Sequence, residues 1–154
     1  MGLDQYLSKR HYVKNWDHTG PKEKHQITVT KGGKPTNIKP ERISYITEQV
    51  GYWRKANQIH NWFVENCQGG RDECQESDVR REQLQELLDV VTQVLDSKSE
   101  TTAREELPPA PGFFFGSTEI DEGYWDDMEN TKTMLTELLA EPDDHANFIY
   151  QASW

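Results

Sequence analysis

The sequence predicts an α+β fold, three helices packed on a small, mainly antiparallel sheet. Three observations predict it. Apolar alternation with a period of two recurs in short stretches, a spacing of three and four residues governs the longer ones, and glycine pairs and prolines punctuate the boundaries between them. A chain of 154 residues, 34% hydrophobic and carrying five Trp, six Tyr and five Phe, is expected to form a single domain over residues 1–154.

Residues 3–13 place Leu3, Leu7 and Val13 among Tyr6 and Tyr12, the pattern of a first strand. His25 to Thr30 alternates around Ile27 and Val29, and Gly32-Gly33 follows, so a second strand ends in a hairpin-like turn. Pro35 and Pro40 mark an extended segment, and Pro40 before Glu41 suits a helix start. A long amphipathic helix is then expected over 41–67, with Ile43, Ile46, Val50, Trp53 and Val64 on one side and Gly69-Gly70 as its stop. A second helix over 79–96 carries Leu84, Leu87, Leu88, Val91 and Leu95, with Ser77 or Asp78 as cap. Residues 97–111 read as a polar linker ending in Pro108-Pro109-Ala110-Pro111. Gly112 to Ser117 reads as a buried strand or a turn into a site. A third helix over 121–140 groups Tyr124, Met128, Thr131, Leu135 and Leu138 and stops before Pro142. Phe148-Ile149-Tyr150 forms a last strand, closed by Trp154.

The net charge of −10 is unevenly distributed. Through His60 the chain holds 11 Lys+Arg against 5 Asp+Glu, a net +6, and the remainder is −16. The two parts are expected to attract one another within the fold or across a dimer. The overall acidity disfavours a role on nucleic acid, whose phosphates call for a net basic footprint. No apolar run approaches the roughly 20 residues of a membrane span and no signal-peptide core is visible, so a cytosolic protein without a membrane partner is expected. Cys67 and Cys74, with six residues between them and no nearby histidines, fit neither a disulfide framework nor a zinc site. No metal and no cofactor is expected.

Asn57 and His60 fall in the middle of the apolar stripe of the 41–67 helix. An unpartnered amide or imidazole there would cost roughly 1–3 kcal/mol. With Tyr52, Trp53, Arg54 and Trp62 beside them, they resemble the lining of a nucleotide pocket: aromatic faces to stack, an arginine fork for phosphate, an amide for polar edges. The opposing reading is that Asn57 and His60 bond neighbouring backbone inside the core. Phe114 and Ser117, in the glycine-flanked run, join the candidate ligand-binding residues, because glycines let a ligand approach backbone closely. The carboxylates Glu119, Asp121, Glu122, Asp126 and Asp127 lack calcium-loop spacing and are read as complementing a helix dipole. His11, His18 and His25 sit among lysines and are read as a solvated basic face. No nucleophile motif is present, so no catalytic residue is assigned.

The opening Met1-Gly2-Leu3-Asp4-Gln5-Tyr6-Leu7, the run Tyr52-Trp53-Arg54-Lys55-Ala56-Asn57 with His60, Trp62 and Phe63, the run Gly112 to Ser117, and the close Tyr150-Gln151-Ala152-Ser153-Trp154 resemble a family of small phage and prophage proteins that open MGLDMYL. Gln5 in place of Met and Ala152 in place of Ser are the departures, and neither removes a reactive group. The resemblance implies no reaction and no catalytic residues. It implies a setting, the host cytoplasm, in which small acidic phage proteins act against host defence, some by sequestering nucleotide-derived signals. The expected partner is therefore a small anionic nucleotide-like ligand, held in a pocket that a homo-oligomer would enclose further. A protein–protein inhibitor acting through the acidic half, and a small nucleotide hydrolase or lyase using His60 with Asp121, are the alternatives.

Overall fold

A computed structural model describes residues 2–112 and 115–154. The fold is α+β, with a four-stranded antiparallel sheet, a separate two-stranded hairpin and four helices. In chain order the elements are β1 (Asp4–Tyr12), β2 (Thr30–Lys31), β3 (Lys34–Pro35), a 3-10 turn (Pro40–Arg42), β4 (Tyr45–Arg54), α1 (Asn57–Cys67), β5 (Ser77–Val79), α2 (Arg81–Ser97), α3 (Glu100–Glu106), α4 (Glu122–Ala140) and β6 (Asn147–Ser153). The sheet order is β4-β1-β6-β5, so the first and last strands of the chain lie side by side at its centre.

β1 shows why one face of the sheet is covered. Leu3, Gln5, Leu7 and Lys9 alternate inward and are buried, while Tyr6, Ser8 and Arg10 face the other side half-exposed. Phe148, Tyr150 and Ala152 of β6 continue the inward face. α2 and α4 close over it with Leu84, Leu87 and Val91 from one and Met128, Leu135 and Leu138 from the other. Phe63 of α1 stacks flat on Tyr150, ring centroids 3.9 Å apart, which fixes that helix against the sheet.

Several expectations are corrected. The 41–67 helix breaks up: a single 3-10 turn forms at the expected start, Pro40–Arg42, Tyr45–Arg54 is a strand, and the α-helix is confined to Asn57–Cys67. Tyr45, Ile46, Thr47, Val50 and Tyr52 are β-branched or aromatic, and Gly51 would weaken a helix interior by about 1 kcal/mol relative to Ala. Pairing with β1 then decides the matter; the register slips between Leu7 and Ser8 and leaves Val50 as an extra residue. Among the described residues four α-helices are present instead of three, because the 97–111 linker contains α3, capped by the Ser99 hydroxyl, which accepts from the Thr102 amide. Only Ala103 and Leu107 mark its buried side, too few for a visible periodicity. The 25–30 strand reduces to Thr30, paired in a small hairpin across Gly32-Gly33. Ser77 and Asp78 belong to β5 instead of capping α2, whose start is closed by the Arg80 amide donating to Gln83 Oε1. Phe113 and Phe114 lie outside the described residues, and Phe115 to Ser117 form neither strand nor helix. Among the described residues no helix is long and apolar enough to cross a membrane.

Candidate functional site

The corner between β4 and α1 is built by side chains that bond backbone. Gln5 on β1 grips the Ala56 peptide twice: the Ala56 amide donates to Oε1 at 3.0 Å, and Nε2 donates to the Ala56 carbonyl at 3.2 Å. Lys55 turns the corner with φ +60 and donates its amide to the Leu3 carbonyl. Asn57, 3% exposed, then clamps the strap that runs toward α4. Its Nδ2 donates to the carbonyls of Phe115 and Ser117 at 2.9 and 3.0 Å, and its Oδ1 accepts from the Ala110 amide. Gly116 passes Lys55 with φ +87, a conformation that disfavours a side chain.

These bonds leave a pocket of about 220 Å³ between the starts of α1 and α4. Lys55, Asn57, Gln58, Ser117, Glu119, Asp121, Tyr124 and Asp127 are among the residues that line it. α1 begins without a side-chain cap and without an acid in its first turn, whereas Asp121 caps α4 by accepting from the Tyr124 amide at 3.0 Å. Burial, with Asp126 nearby, pushes the Asp127 carboxyl up to about 6. The pocket therefore combines Lys55 and the uncapped start of one helix with carboxylates, one of which already caps the other helix.

His60 is elsewhere, 2% exposed in the core. Its Nδ1 meets the Tyr150 hydroxyl at 2.7 Å and its Nε2 meets Asp72 Oδ2 at 2.9 Å. In neutral imidazole, Nε2–H donates to Asp72 and Nδ1 accepts from Tyr150. Asp72 also accepts from the Trp154 indole at 2.9 Å, so the chain end closes this network. The carboxylate paired with His60 is Asp72; Asp121 is the helix cap.

The other sequence candidates separate further. Trp53 is core, donating its indole N–H to Thr131. Trp62 is half-buried, edge-on to Phe63. Tyr52 and Arg54 stand on the uncovered sheet face, where the Tyr52 hydroxyl donates to Asp4 at 2.5 Å and Arg54 lies 3.9 Å from the same carboxylate. Ser117 lines the pocket, and Phe114 lies outside the described residues. Asn57 and Ser117 are thus brought together, and Tyr52, Trp53, Arg54, His60 and Trp62 do not join them. Gln5 and Asp72 were not singled out from sequence, Lys55 stands there only beside Arg54 as a phosphate partner, and Asp127 is read there as complementing a helix dipole. Only Gln5, a polar residue at an inward position of an alternating strand, carried a local signal.

The Cys67 thiol is pushed up to about 11 by burial, which leaves little thiolate at neutral pH. Among the described residues no three His, Cys, Asp or Glu side chains gather to hold a metal ion. Comparison with family models, with curated proteins and with solved structures returned no match.

Proposed function

We propose that this chain is a non-enzymatic binding protein of phage origin that sequesters a small, anionic, nucleotide-derived defence signal. The observation that carries the reading is the pocket lined by Lys55 and the uncapped start of α1 together with the carboxylates around the start of α4. A nucleotide is itself two-sided. Its phosphate suits the ammonium and helix end, and its amino-bearing base edge suits Glu119 or Asp121. At about 220 Å³ the pocket is smaller than the roughly 300–1,000 Å³ of sites that enclose a whole drug-sized ligand, so it takes one moiety and leaves the rest outside. The sequence resemblance to small phage proteins supplies the setting.

Mass spectrometry of small molecules released on denaturation, after expression in cells with active nucleotide signalling, tests this. An intact nucleotide is expected from the wild type, and Lys55→Glu should bind it about tenfold or more weakly, the scale of one lost charged contact. Arg54→Ala, outside the pocket, serves as the control. Recovery of a cleaved product would move the assignment to an enzyme. An empty protein would favour a protein inhibitor, the reading supported by the exposed acidic stripe Glu82, Glu86, Asp89 and Asp96 along α2.

A further inference from the structure

The two edges of the sheet differ. β5, at one edge, is three residues long, and such shortness protects an edge from pairing. β4, at the other, is ten residues long, pairs with β1 on one side only, and carries a single charge, Glu48, between Tyr45 and Trp53. Before its extra residue Val50, the stretch Tyr45–Gln49 is regular and exposed. Exposed apolar bulk collects at this edge. Tyr45 is 53% and Ile46 39% exposed, and Tyr12, 49% exposed, packs edge-on against Tyr45 while accepting the Trp16 indole N–H. An unpaired strand with exposed apolar side chains is a template for another strand.

Charge identifies that strand. The segment from Val13 to Ser44 leaves the sheet as a largely exposed arm whose hairpin pairs only with itself. It carries seven Lys+Arg and three Asp+Glu, a net +4, and it joins the body at the head of β4. Beside the tail of β4 runs α4, with five acids and one lysine, a net −4; a groove of about 550 Å³ opens there between Val50 and Tyr52 of the strand and Asn130, Met134 and Glu137 of the helix. Antiparallel pairing of β4 with its own copy sets the head of each strand beside the tail of the other. The basic arm root of one molecule then meets the acidic helix of its partner.

We propose that β4 is a self-docking edge: two copies of this chain pair their β4 strands antiparallel into one continuous sheet, the basic arm of each lying against the acidic α4 of the other. This interface is independent of the pocket between α1 and α4.

Light scattering on the full chain, with amide hydrogen exchange at high and low concentration, tests it. A mass twice 18.0 kDa is expected, falling toward 18.0 kDa on dilution or in high salt, with amides of Tyr45–Gln49 protected only in the dimer. Ile46→Lys, at an exposed site that leaves the monomer core untouched, should raise the dissociation constant about tenfold or more by placing a cation in the apolar seam. Glu137→Lys should weaken the dimer while leaving β4 intact. A monomer at the highest soluble concentration overturns the proposal. So does a dimer indifferent to Ile46→Lys, which would place the contact elsewhere. A β4 protected by a different co-purified chain overturns it as well, in favour of a foreign strand.

Discussion

Asn57 and His60 interrupt the apolar side of α1, and every polar atom of both side chains has a partner. Asn57 holds three backbone groups of the strap between α3 and α4 in place. Asn57→Ala removes all three bonds at a side chain that is itself 3% exposed, so urea titration should read a stability loss of roughly 1–3 kcal/mol. Asp127 has the opposite character, a carboxyl whose folded state favours the proton. Between about pH 4 and about pH 6 the folded chain keeps a proton the unfolded chain has released, so this residue's contribution to stability falls as pH rises through that window. Asp127→Asn should remove that slope, and unfolding titrations on either side of the window will show whether stability near neutrality rises. An unchanged slope would mean that Asp127 is ionised in the fold. Lys9 shows a buried cation retained by partners. Burial pulls its ammonium down, but bonds to Asp144 and Glu141 outweigh this and leave the pKa raised.

At the scale of elements, the β4–α4 contact depends on the absence of a side chain. A Cβ on Gly51 would stand 2.6 Å from Met134 Sδ and 3.1 Å from Leu7 Cβ. Gly51→Val should therefore push α4 from the strand and cost roughly 1–3 kcal/mol, read as a lowered urea midpoint. A midpoint equal to wild type would mean that Met134 swings clear. The same glycine argues against a helix across residues 45–54, yet Ile46, Val50 and Trp53 keep helical spacing. Both patterns are present in one stretch, and the neighbouring strand chooses between them. α2 and α4 needed no such arbitration, because their apolar residues recur over 17 and 19 residues, long enough for the period to be unambiguous.

For the molecule as a whole, the order β4-β1-β6-β5 makes the last strand central and leaves the arm's hairpin outside the main sheet. The Val13 amide donates to the Ser44 carbonyl at 2.9 Å, so the ends of the arm already meet. Replacing Asn15–Arg42 with a two-residue Asn-Gly turn should preserve cooperative melting of the body. Truncation after Ala146 should abolish it, because β1 and β5 both lose their partner on that side. Circular dichroism melts of the two variants separate these outcomes; a folded truncation would contradict the central position of β6.

The α+β class, the strand at the start, the helices near 79–96 and 121–140, and the strand at the end were legible in the sequence, because each has a local periodicity that burial on one face imposes. The polar interruptions at Asn57 and His60 were legible as positions that need partners. Their partners were not: Ala110, Phe115, Ser117, Asp72 and Tyr150 lie between 12 and 90 residues away along the chain. Only the folded chain brings Asp72 to His60 and Lys55 to the carboxylates at the start of α4. Hydrogen bonds and ion pairs act over a few ångströms in space and leave no period in the sequence.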